Sequence, residues 1–101
     1  MTKKICVIGA GISGLSCMHQ LDTHNIDYVC YEKRAQLGGL WNYSENEISV
    51  YKNCKQNHPR EYMHINDKHI DHITDDYLTH EEYLEYLKQF NSDKIKYNST
   101  V

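Results

Sequence analysis

Three glycines, Gly9, Gly11 and Gly14, follow directly on the apolar run Ile5-Cys6-Val7-Ile8. At this spacing they suit one task, which is to hold a pyrophosphate against bare backbone. Gly9 lets the chain turn tightly out of a strand. Gly11 has no Cβ to keep phosphate oxygens away, and Gly14 lets the next helix pack close to the strand. The free N–H groups and the positive dipole end of that helix then face the phosphates. The spacing is weak evidence alone, but here a strand-like run precedes it and a helix-compatible segment follows.

A carboxylate sits where a ribose would need one. Asp27-Tyr28-Val29-Cys30-Tyr31 reads as a second strand, β-branched and aromatic, and Glu32 ends it. Glu32 falls about 18 residues past Gly14, near the spacing of the acid that grips an adenosine ribose. Such a carboxylate accepts from the ribose hydroxyls and repels a 2′-phosphate, so the adenosine is that of FAD or NAD rather than NADP. Lys33 and Arg34 follow at once, and a nearby Arg can accept a 2′-phosphate. The plain alternative is an acid that merely ends a strand.

Further on, Gly38-Gly39-Leu40-Trp41 forms a sharp turn with an aromatic beside it. It reads equally as a loop lying along a flat cofactor and as a plain turn before a core aromatic. Asn57, by its residue type alone, is a loop asparagine bonding its own backbone. His64, His69 and His72 with Asp67, Asp71 and Asp75 raise a metal question, and His69 and His72 are spaced as two ligands on one helical turn. No third constrained ligand completes a pattern, so a solvated polar loop is the expectation and no metal is assigned.

The elements that must position these groups are few. The chain has 101 residues, enough for a single small domain with one modest core. A net charge of −3, a pI near 6.1 and the lack of a basic run argue against nucleic acid or an anionic membrane as partner. No apolar stretch reaches membrane-spanning length and no secretory signal precedes the first strand, which points to the cytoplasm. The four cysteines form no CxxC pair. Cys6, Cys17 and Cys30 fall in predicted strands and helix, where buried reduced thiols are expected.

The first helix is expected over residues 13–24, with Leu15, Met18 and Leu21 towards the sheet, Asn25 as a left-handed cap, and His19 and His24 in solvent. A second is expected over residues 79–90. Thr79 and Glu82 make a capping box, Tyr83, Leu84, Leu87 and Phe90 the buried stripe, and Glu85 pairs with Lys88. Residues 95–98 read as a short third strand. The unbroken apolar character of Ile5–Ile8 predicts a strand buried on both faces.

Taken together, Gly-Ala-Gly-x-Ser-Gly-Leu, the acid Glu32, Gly39-Leu40-Trp41, and Val50-Tyr51 followed by Asn57 resemble the N-terminal part of the flavin-containing monooxygenases. The resemblance runs from Lys4 to Val101. It implies a Rossmann-like βαβ FAD-binding unit, an α/β fold with part of a three-layer parallel sheet, as one partial domain over residues 1–101. It assigns Gly9, Ala10, Gly11, Ile12 and Ser13 to the FAD pyrophosphate and Glu32 to the ribose, and counts Gly14 among the cofactor-binding residues. Leu40 and Trp41 would lie along the flavin-bearing half, with Gly39 before them also binding the cofactor. Asn57, with His58 beside it, would reach the flavin ring and the nicotinamide, where a neutral amide can both donate and accept.

The chain also departs from that family. His58-Pro59 stands where a Ser or Thr is usual, and residues 63–72 are unlike the family's proline- and phenylalanine-rich loop.

The resemblance implies a monooxygenase of the N,N-dimethylaniline type, using FAD and NADPH to oxygenate a small N- or S-containing nucleophile. Its NADPH site would lie outside this chain, as would the C-terminal segment by which some members attach to membranes. The expectation is a truncated unit whose first strand keeps an open edge, where a partner chain can pair. The alternative is a non-catalytic nucleotide-binding module or an inactive fragment that needs such a partner.

Overall fold

The computed structural model describes residues 4–65, 68–70 and 77–101. Strand β1 covers Ile5–Ile8, helix α1 Ile12–Thr23, strand β2 Tyr28–Tyr31, helix α2 His80–Lys88 and strand β3 Ile95–Lys96. Short 3-10 turns occupy Gly39–Trp41 and Arg60–Tyr62. The three strands are parallel in the order β1-β2-β3, with Val7 beside Cys30 and Cys30 beside Ile95. The expected parallel α/β arrangement is therefore present, with β2 at its centre.

Alternation along these strands separates two faces. Val7, Tyr28, Cys30 and Ile95 point into one core with Leu15 and Met18 of α1 and Tyr83, Tyr86 and Leu87 of α2. The other face carries Cys6, Ile8 and Lys96, all exposed. Burial of β1 on both faces is thus not what the structure has. Ile8 is 69% exposed because it points to the face opposite the core, and among the described residues β1 pairs only with β2.

Helix α1 ends as its sequence directs. Asn25 adopts φ of 55°, its N–H donates to Asp22 O, and Ile26 N–H donates to Leu21 O. These two bonds around a left-handed residue form a Schellman cap. Leu15 and Met18 are buried and Leu21 partly so. His24 is exposed as expected, but His19 is half-buried, because its ring meets Phe90 edge-on at 5.5 Å.

In α2 the capping box forms: Glu82 N–H donates to Thr79 Oγ1 at 3.1 Å, and Thr79 N–H donates to the Glu82 carboxylate at 2.9 Å. Lys88 Nζ lies 2.7 Å from Glu85. The buried stripe is His80, Tyr83, Tyr86 and Leu87, whereas Leu84 and Phe90 are only partly covered. Tyr86 is held inside by its hydroxyl, which accepts Ile65 N–H at 2.6 Å and donates to the Lys68 carbonyl. β3 is shorter than the sequence suggests because Asn98 turns at φ of 53°.

The thiols also differ from expectation. Cys30 is buried, but Cys6 and Cys17 are exposed, on the outer sheet face and on the side of α1 away from Leu15 and Met18. All four cysteines are free. No helix among the described residues is long and apolar enough to cross a membrane.

Candidate functional site

The turn out of β1 is built as the glycine spacing requires. Gly9 has φ of 95°, a conformation that side chains resist, and its N–H donates to Tyr31 O at 2.9 Å. A Cβ on Gly14 would sit 1.9 Å from the Gly9 carbonyl oxygen, so α1 can lie this close to the strand only with glycine there. No side chain caps the start of α1 and no acid lies in its first turn, which leaves its positive end uncompensated.

A second turn meets the first. Gly39 has φ of 54°, and a Cβ on it would fall 2.9 Å from the Gly11 Cα. Gly38 N–H donates to Ala10 O at 2.9 Å, so the two glycine turns are hydrogen-bonded as well as in contact. Together they floor a cleft of about 490 Å³. Its walls include Gly9, Gly11, Glu32, Gly39 and Leu40, so five of the residues expected from the sequence come together. The rest of the wall comes from Ile8 and Tyr31, from Lys33 and Arg34, from Ile48, and from residues 99–101 after β3.

Glu32 is 5% exposed, and its carboxylate is placed by backbone. One oxygen accepts Ala10 N–H and the other Arg34 N–H, both at 2.8 Å. An ionised carboxylate has about four acceptor positions, so two remain for hydroxyls in the cleft. The same carboxylate adds to burial in pushing the Cys30 thiol upward from its ordinary value, with burial the larger cause.

Arg34, which follows Glu32 in the cleft wall, is engaged by the protein itself. Its guanidinium donates to Gly39 O at 2.8 Å and to Asn42 O at 3.0 Å, and its Nε pairs with Glu47. With a side chain only 12% exposed, it ties the end of β2 to the second glycine turn. The sequence signal was faint, because the partners are two carbonyls and an acid 13 positions on, in a loop.

The remaining expected residues lie elsewhere. Ala10 is fully buried and serves Glu32 through its N–H. Ile12 and Ser13 form the first turn of α1 without lining the cleft. Trp41 is partly buried, and its ring meets Tyr83 edge-on at 5.4 Å, which makes it a packing residue of α2. Asn57 and His58 are exposed and line no part of the cleft. In sequence between the second turn and α2, Gln56 is 4% exposed, and neither end of its amide has a partner among the described residues.

Of the histidine and aspartate stretch, His72, Asp67, Asp71 and Asp75 lie outside the described residues. The rings of His64 and His69 face each other 4.5 Å apart. Among the described residues no three metal-ligating side chains converge.

Comparison with known proteins converges on the same set of features. Residues 2–99 match the family model described as flavin-binding monooxygenase-like. Human dimethylaniline monooxygenase [N-oxide-forming] 4 is 32% identical across 96% of the chain, and guinea pig (Cavia porcellus) flavin-containing monooxygenase 5 is 36% identical across all of it. The chain spans 18% and 21% of those proteins' lengths. Among solved structures, S-allyl-L-cysteine S-oxygenase from Allium sativum superposes with a TM-score of 0.84 at 24% identity, over 97% of this chain and 28% of that one. Steroid monooxygenase bound to NADP gives 0.75 at 20% identity, over 94% and 19%, a likeness of fold. Since the family match takes in the glycine turns, the cleft and α2 together, the chain belongs to the flavin-binding monooxygenase-like family.

Proposed function

We propose that this chain is the FAD-holding part of a flavin-dependent monooxygenase that uses NADPH to oxygenate a small molecule with a nucleophilic nitrogen or sulfur. The observation that carries this reading is the cleft floored by Gly9, Gly11 and Gly39 with the Glu32 carboxylate in its wall. A pyrophosphate can approach Gly11 and Gly39 because no side chain stands in its way, and the uncapped start of α1 favours negative charge. Glu32 then takes the ribose hydroxyls with its two spare acceptor positions. Leu40, exposed at the cleft, suits the flavin-bearing half. Bound FAD supplies the redox and oxygen chemistry; the chain supplies binding and orientation. Asn57 and His58 are assigned to the flavin-ring end by resemblance to the family, and Trp41 supports the Gly39–Trp41 turn from behind. Four free thiols suit the cytoplasm.

A second reading is a nucleotide-binding module that pairs with another chain, and the open edge of β1 with exposed Cys6 and Ile8 favours it. Gel filtration of the chain with FAD tests the cofactor. Flavin absorbance that co-elutes with the chain and is lost in Gly11→Val supports the first reading. Elution without flavin, in a form that binds no other dinucleotide, overturns it.

A further inference from the structure

The loop of residues 44–49 is closed on itself and fastened at both ends, although it has no regular secondary structure. Ser44 N–H donates to Ser49 Oγ at 3.0 Å, and Asn46 N–H donates to Ser44 Oγ at 3.1 Å. Val50 N–H donates to Leu40 O at 2.8 Å, which fixes the exit of the loop to the second glycine turn. The Glu47 carboxylate pairs with Arg34, whose other donors hold Gly39 O and Asn42 O. Directly after Glu47 comes Ile48, 85% exposed and yet part of the cleft wall beside Lys33 and Arg34.

A β-branched apolar side chain held in water by this many bonds gains nothing by its position unless something apolar covers it. The direction along the cleft identifies what that is. With a pyrophosphate at Gly11 and a ribose at Glu32, the base must continue past Glu32 towards Lys33, Arg34 and Ile48. We propose that Ile48 is the apolar wall against which the adenine ring of the cofactor packs, and that Arg34 and Glu47 are positioning residues that hold it there. The proposal rests on the FAD reading above. It also gives Arg34 a reason to be spent on carbonyls and an acid: each nitrogen of its guanidinium helps to build the wall of the adenine site.

The test compares two probes on the purified chain by calorimetric titration: ADP, and ribose 5-diphosphate, which is ADP without its base. Ile48→Ser should weaken ADP about fivefold or more and leave ribose 5-diphosphate unchanged, since only the base contact is lost. Glu47→Gln should shift the same ratio in the same direction by a smaller factor. Ile48→Phe, which keeps an apolar face, should retain the ratio of the unmodified chain. An unchanged ratio in Ile48→Ser, or an equal loss on both probes, overturns the proposal while leaving FAD binding intact. Failure of the unmodified chain to bind either FAD or ADP overturns the cofactor reading and this inference with it.

Discussion

The carboxylate of Glu32 accepts the backbone N–H of Ala10 at 2.8 Å across 22 residues of sequence, and so joins the end of β2 to the turn that leaves β1. Its other oxygen accepts Arg34 N–H, also at 2.8 Å. The acid that faces the cleft is therefore also a brace of the fold. Glu32→Ala leaves two backbone donors without their acceptor and should destabilise the chain by about 2 to 4 kcal/mol. Glu32→Gln keeps one neutral acceptor and should cost about half of that. Urea unfolding followed by circular dichroism separates the two.

Gly11 and Gly14 should fail in different ways. A Cβ at position 14 meets the Gly9 carbonyl oxygen at 1.9 Å, a backbone atom that cannot move aside, so Gly14→Ala should lose about 3 kcal/mol or more of stability. A Cβ at position 11 meets only the Gly39 Cα at 3.5 Å, ordinary packing. Gly11→Ala should fold normally and lose FAD affinity by about tenfold, read by flavin fluorescence titration.

Alkaline pH should unfold the chain. Burial pushes the Cys30 thiol and the Tyr28, Tyr83 and Tyr97 phenols upward from their ordinary values. Above the unfolded-state values near 9 to 10, the folded chain holds more protons than the unfolded one, so its stability falls as pH rises. Denaturant midpoints at successive pH values should be level below about pH 8 and decline from about pH 9 upward. Alkylation gives the matching readout at neutral pH. Cys6 and Cys17 should react first, Cys54 more slowly and Cys30 only on unfolding.

Gln56 offers the opposite sign. Its amide is buried with no partner at either end among the described residues, which costs free energy without a compensating bond. Gln56→Met fills the same volume without polar atoms to strand and should raise stability by about 1 to 2 kcal/mol, measured by thermal unfolding.

Local chemistry was legible in the sequence wherever cause and effect sit within a few residues. The glycine spacing, the Thr79–Glu82 box and the left-handed Asn25 all formed as read. The partners of Arg34 were not legible, because Gly39, Asn42 and Glu47 are brought near by a loop with no periodic pattern. Trp41 reads equally as a cofactor-side or a core aromatic, and the contact it makes with Tyr83 comes from more than forty residues on, beyond any local pattern. The apolar run in β1 signals a strand without saying how many neighbours it has. Ile8 and Cys6 are exposed because they point to the sheet face away from the core, and which face is covered depends on packing remote from the strand.

The central place of β2 gives the molecule two tiers of motion. Through Tyr31 it accepts Gly9 N–H, through Cys30 and Glu32 it donates to Lys94 O and Lys96 O, and it ends in the acid and the arginine that shape the cleft. Opening β2 means opening the core, whereas the loop of residues 44–49 is attached by one ion pair and a few hydrogen bonds. Local opening of that loop and global unfolding should thus be separable events. In hydrogen–deuterium exchange, amides of β2 should report only the slower, complete opening, and those near Ile48 only the local one.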